Sequence, residues 1–126
     1  MKTVLLLCCV ATLTVLAQGN PEWYGFPPYP GARQLCGQTV MEQPGLHAME
    51  IHWHSYATAD AMAKVAAFYE KTKAKDEKKA ADSVSFHLDK DTSLSIHTAS
   101  GSYPGCDNKP KSNEATVIVV SHAVRR

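Results

Sequence analysis

The chain has 126 residues, of which 44% are hydrophobic and 20% charged, and its formal net charge is +1. A domain usually takes roughly 100–200 residues, so this length holds one domain at most. Charge so near neutrality lacks the basic surplus that phosphate affinity needs, so no nucleic-acid partner is expected. The aliphatic content also argues against a disordered tail.

The first segment points to export. Lys2 provides a short basic start, and Val4 to Leu16 is apolar apart from Cys8, Cys9, Thr12 and Thr14. Val15-Leu16-Ala17 then offers the small residue that a signal peptidase reads, which predicts a signal peptide over residues 1–17 and cleavage after Ala17. The run is shorter than the roughly 20 apolar residues of a membrane span. A bulky leucine before Cys8, and the early place of that cysteine, argue against lipidation. The expected destination is the periplasm or the medium.

Cleavage removes Cys8, Cys9 and Lys2, which leaves Cys36 and Cys106 and a formal charge of zero. Two cysteines in an oxidising compartment predict one disulfide, and no Cys-x-x-Cys spacing suggests a metal or redox pair. A bridge closing a loop of this length, about 70 residues, contributes roughly 4 kcal/mol in the chain-entropy picture.

Residues 18–33 read as an extended arm, and 34–126 as a single α+β domain. Between Asn20 and Gly31 stand four of the seven prolines, with Trp23, Tyr24, Phe26 and Tyr29 among them. Proline fixes its own φ and drives the preceding residue out of the helical region, so the arm is extended. Its aromatics suit a lead-in packed on the domain, with a partner-binding surface as the alternative.

Gln34 to Glu42 predicts a first strand, ended by the turn signal Gln43-Pro44-Gly45. Leu46 to Ala57 predicts a second, with Met49, Ile51 and Trp53 on one face and Glu50, His52, His54 and Tyr56 on the other. Thr58 is the expected N-cap of a helix, and Asp60 sits where a negative charge suits the helix dipole. Met62, Val65, Ala66, Phe68 and Tyr69 form its apolar stripe, while Lys64, Lys71, Lys75 and Lys78 mark the wet side. The pattern leaves the helix end open between Lys73 and Asp82.

Ser83 to Asp89 and Ser93 to Thr98 alternate again, placing Val84, Phe86, Leu88, Leu94 and Ile96 inward around a hairpin loop at Asp91-Thr92-Ser93. Residues 100–113 form a loop carrying Cys106. Glu114 to Val124 predicts a last strand whose Val117-Ile118-Val119-Val120 is apolar on both faces, as a central strand would be. The expected fold is α+β: a mainly antiparallel sheet of four to five strands with one amphipathic helix on one face.

Tyr29-Pro30-Gly31-Ala32 ahead of a strand, Thr58-x-Asp60, and Val65-Ala66-Ala67-Phe68-Tyr69 on a helix are short motifs. Together they resemble small exported bacterial proteins of uncharacterised function that pair a Tyr-Pro-Gly-Ala entry with a Val-x-x-Phe-Tyr helix. The resemblance covers roughly residues 27–70 and implies an exported α+β module, with no catalytic residue to carry over. A Gly-Trp pair that often follows the helix in such proteins is absent here.

The histidines carry the remaining chemistry. His52 and His54, two apart on a strand, point to the same side together with Glu50. His87 and His97 lie on the polar faces of the next two strands, and the hairpin places them opposite or diagonal to one another. Opposed pairs bring Cβ atoms within about 5 Å, so His52, His54, His87, His97 and Glu50 could surround one Zn²⁺ or Cu²⁺ ion. Three ligands with an open position would permit hydrolysis by metal-bound water; the plainer alternative is a wet sheet face bearing no site.

Other signals are weak. Asp89-x-Asp91-x-Ser93 begins like a calcium loop, but Leu94 and Ser100 stand where glycine and glutamate are required. No Gly-x-Ser-x-Gly elbow exists for a serine hydrolase. Lys71 to Lys79 is interrupted by Asp76 and Glu77 and reads as a solvated helix end. The expectation is a small exported, non-enzymatic binding or structural module held by Cys36–Cys106, with a metal site on the histidine face as the alternative.

Overall fold

The computed structural model describes residues 21–42, 49–72, 74, 76–100 and 106–125. The signal peptide, the Gln43-Pro44-Gly45 turn and the first three residues of the strand expected from Leu46 lie outside them. A single 3-10 turn, Pro21–Trp23, precedes strands β1 (Arg33–Glu42) and β2 (Met49–Thr58), helix α1 (Met62–Glu70), and strands β3 (Asp76–Lys79), β4 (Ser83–His87), β5 (Thr92–Thr98) and β6 (Thr116–Arg125). The strands form one sheet of six in the order β1-β2-β6-β5-β4-β3, with every neighbouring pair antiparallel.

The α+β class stands, with one strand more than the four to five expected. The extra strand is β3, Asp-Glu-Lys-Lys, exposed at all four positions. With no buried side to produce an alternation, it reads as a helix tail in the sequence, and Lys78 belongs to it rather than to α1. The helix stops at Glu70, where Thr72 donates both its amide and its hydroxyl to the Tyr69 carbonyl. Its N-cap is Ala61, without a side-chain cap, and Thr58 instead accepts the Asp60 amide at 3.2 Å.

One helix cannot cover this sheet. Nine residues rise only about 13 Å, whereas six strands span about 24 Å. The arm covers the rest. Trp23 stacks on Tyr56 with ring centroids 4.2 Å apart, Phe26 meets Tyr69 edge-on, and the Tyr69 hydroxyl donates to the Pro27 carbonyl at 2.9 Å. The Tyr29 hydroxyl donates to Asp60, and burial with that carboxylate pushes its phenol up to about 12. Trp23, Phe26 and Tyr29 are therefore core residues, continuous with Val65, Tyr69, Phe86, Leu94, Ile96, Ile118 and Val120. These three rings, offered in the sequence as an alternative partner-binding surface, are turned into the domain rather than presented on its surface. Of the four arm aromatics, only Tyr24 is partly exposed.

The opposite face of the sheet has a smaller core of Leu35, Trp53, Ala57, Val117 and Val119. Cys36 and Cys106 are joined across it, with Cα atoms 6.0 Å apart and Ser55 buried against both sulfurs. A β-bulge creates this arrangement. Gln34 pairs with Tyr56 but Cys36 pairs with Ser55, so Leu35 is the extra residue. Without it, Cys36 would fall opposite His54 on the helix side, because a one-residue slip reverses every side chain. Arg33 ties the following segment down through Glu114 and the Lys109 carbonyl, and holds the Glu114 carboxyl below its ordinary range.

The described residues include no helix long and apolar enough to cross a membrane.

Candidate functional site

Both faces of β2 are covered over part of their length, so polarity alone does not mark the outer face. Tyr56 belongs to the helix-side core, and its alternates His54, His52 and Glu50 share that side. Val84, Phe86, Leu94 and Ile96 also point there, so His87 and His97 point to the other face. The five residues expected to surround one ion are thus divided by the sheet. Among the described residues no three His, Cys, Asp or Glu side chains are arranged to hold a metal.

What the fold does bring together is a different set. Cross-strand pairing places Thr39 opposite His52, His52 opposite His122, and His122 opposite Thr92. Four adjacent strands therefore carry a row Thr39–His52–His122–Thr92 on the side that elsewhere builds the core. Thr39 Oγ1 lies 2.8 Å from His52 Nδ1, and Thr92 Oγ1 lies 2.8 Å from His122 Nδ1. His52 Nε2 meets Glu50 Oε1 at 2.7 Å. Each imidazole is thus oriented through Nδ1 by a threonine on the strand outside it. The row lies at the sheet end away from α1; Thr39 is exposed, the two imidazoles are partly buried and Thr92 is buried.

Tyr24 roofs one side of this row, with its ring 5.2 Å from His122 in a stacked arrangement and 6.0 Å from His54. Tyr24 has φ +48° and Gly25 φ +96°, so two successive left-handed residues turn the arm here. Such a conformation is uncommon for a residue with a side chain and is held by the packing on both sides. Burial and the nearby Glu22 charge push the Tyr24 phenol up.

His54 completes the cluster by lying over Gly37, its cross-strand partner in β1. A Cβ at position 37 would collide with the imidazole, whose Nδ1 is buried without a hydrogen-bond partner. Gly37→Ala is expected to destabilise the chain by about 1–3 kcal/mol through this overpacking. In a His54→Ala background most of that loss should vanish, because the colliding ring is gone. Urea unfolding of the four chains checks this; equal losses in both backgrounds would place the strain elsewhere.

Sequence reasoning put His52, His54 and Glu50 together correctly but missed Thr39, Thr92 and the covering role of Tyr24, and left His122 without a side. His122 had a usable signal: Ile118 and Val120 share its parity, and they are core residues. Which face they bury against was not legible in the strand itself.

The second face has its own polar cluster. His97 Nε2 lies 2.8 Å from Ser95 Oγ, burial lowers its basicity, and the nearby Asp82 charge partly opposes that. A serine, a histidine and an aspartate together suggest acyl transfer, but Ser95 sits in mid-strand between β4 and β6. Its neighbouring amides are committed to the sheet ladders, so the row offers no amide pair to receive an oxyanion.

No family model, curated protein or solved structure matches the chain.

Proposed function

We propose that this chain is a small exported, non-enzymatic binding module. Its recognition surface is the row Thr39–His52–His122–Thr92, with Glu50, His54 and Tyr24 around it. The observation that carries this reading is the polarity of a core face. The same side of the same strands is aliphatic or aromatic at Tyr56, Ile118, Val120, Leu94 and Ile96, then turns to hydrogen-bonded histidine and threonine where the arm and helix stop. Apolar residues there would extend the core. Partly exposed, orientated imidazoles instead offer ring-nitrogen donors and acceptors to a polar small ligand or to a polar protein surface. Export is supported by the apolar Val4–Leu16 run and by the Cys36–Cys106 disulfide.

A divalent-metal reading survives in narrower form. Thr92 also bonds the Asp89 carboxylate, which leaves its oxygen to accept from His122 Nδ1–H and makes Nε2 of that ring the lone-pair atom, whereas His52 Nε2 meets Glu50 Oε1 and would exchange the proton it holds there for the metal. His52 and His122 would then be the ligands, with His54 or Glu50 moving to join them, and His87 and His97 taking no part.

Native mass spectrometry of the chain purified from its own exported fraction, without a histidine tag, tests both readings. The expected result is a bound species that His52→Ala with His122→Ala removes while the near-ultraviolet circular dichroism shows the domain still folded. A metal mass supports the narrower reading, and an organic mass the broader one. A chain that arrives bare, and stays bare with added Zn²⁺ and Cu²⁺, counts against the row as a binding surface.

A further inference from the structure

The two edges of the sheet are built differently. At one edge, β3 is four residues long, fully exposed, and reads Asp76-Glu77-Lys78-Lys79. A short, charged strand of this kind resists pairing with another chain. At the other edge, β1 is ten residues long, and its outer side pairs with no strand among the described residues. From Gln34 to Met41 it contains neither a charge nor a proline. Val40 and Met41 are among the largest apolar side chains left exposed, at 38% and 53%. The bulge at Leu35 ends before Cys36, and from Cys36 to Met41 no charge, proline or further bulge keeps the edge solitary.

We propose that β1 is an interface for a second copy of this chain, joined edge to edge as an antiparallel β1–β1 pair with Thr39 on the two-fold axis. The register follows from the pleat. Keeping both helices on one side of a continuous sheet requires opposed residues to share a face, so the paired positions must sum to an even number. Centred on Thr39, the pairing sets Met41 opposite Gly37 of the other copy, and Val40 opposite Gln38. On the helix side the long Met41 side chain then lies beside Gly37 of the other copy and the His54 ring above it. Two threonines meet at the axis, a pair that hydrogen-bonds well across strands. No like charges are opposed between Cys36 and Met41.

Area sets the strength. In this register the seven residues Cys36 to Glu42 are paired; they extend about 24 Å, and a strip of that length covers roughly 280 Å² per partner, about a third of what a stable dimer buries. The dimer is therefore weak and its population rises with concentration. Thr39 belongs both to this edge and to the histidine row, but the pairing is measured on the chain without ligand and survives if the binding reading fails.

The test uses the full oxidised chain. Sedimentation velocity over a wide concentration range should show a monomer–dimer equilibrium that Val40→Lys shifts to monomer, with near-ultraviolet circular dichroism unchanged. Thr39→Cys should give a disulfide-linked dimer under mild oxidation, because opposed Cα atoms lie about 4.5–5.5 Å apart, within disulfide reach. Gln38→Cys and Val40→Cys should not, since each lies about 8 Å from its own copy in this register. A wild-type chain that stays monomeric throughout overturns the proposal, whatever extended peptide the edge then accepts. So does a dimer that Thr39→Cys cannot trap, or growth beyond dimers, which would mean a head-to-tail contact.

Discussion

Replacing Cys36 and Cys106 with serine is expected to lower the free energy of unfolding by about 4 kcal/mol, most of it from the unfolded state. The bridge links residues 70 apart, so its removal frees a long loop in the denatured chain. It also anchors the smaller core: Cys36 and Cys106 pack against Leu35, Trp53, Ala57, Val117 and Val119, and Ser55 lies buried against both sulfurs. A domain of this size usually has only about 5–15 kcal/mol in hand, so the doubly substituted chain should unfold at much lower denaturant. Chemical unfolding of the oxidised and substituted chains measures the difference. A loss below about 1 kcal/mol would show that the segment from Cys106 onward is held by Arg33 and its contacts instead.

The second large effect belongs to the arm. Trp23→Ala is expected to destabilise by about 3–5 kcal/mol, the range for emptying a buried aromatic site. Trp23 is 2% exposed and stacks on Tyr56, whose hydroxyl donates to Glu22 at 3.2 Å. Losing the indole opens the helix-side core beside Ile118 and releases the turn that holds Tyr24 over His54 and His122. Differential scanning calorimetry should show a fall in midpoint of many degrees. A change of only one or two degrees would mean that the arm docks loosely and is dispensable, restoring its aromatics as a partner surface.

Much of the fold was legible because alternation is a local property. β2, β4 and β5 announce themselves through residues two apart, and Val117-Ile118-Val119-Val120 marks a strand covered on both sides, as β6 is. The disulfide followed from counting cysteines. What alternation cannot give is which face is which. Met49, Ile51 and Trp53 look like the inward set, but the helix and arm pack on the side of Tyr56, while Trp53 is buried beneath the bridged segment.

Two further features were beyond local reading. The bulge at Leu35 leaves no mark in Gln34 to Glu42, yet it alone brings Cys36 to the face of Cys106. β3 shows no alternation because none of its residues is buried. The candidate site suffered from the same ambiguity. His52 and His54 were rightly paired with each other, and wrongly with His87 and His97, because strand order decides neighbours: β6 lies between β2 and β5, and supplies His122.

The central claim is that Thr39–His52–His122–Thr92 is a binding surface, kept polar at some loss of core. Measuring the unfolding free energy of His52→Val with His122→Val tests it most directly. Valine at both positions would extend the apolar row of Val120 and Leu94; Thr39 is exposed, and Thr92, though buried, keeps its side-chain hydrogen bond to Asp89, so stability should hold or rise by about 0.5–2 kcal/mol. A fall of more than about 2 kcal/mol would contradict the account. The histidines would then be structural hydrogen-bonding groups of the sheet, and the binding surface would have to be sought elsewhere.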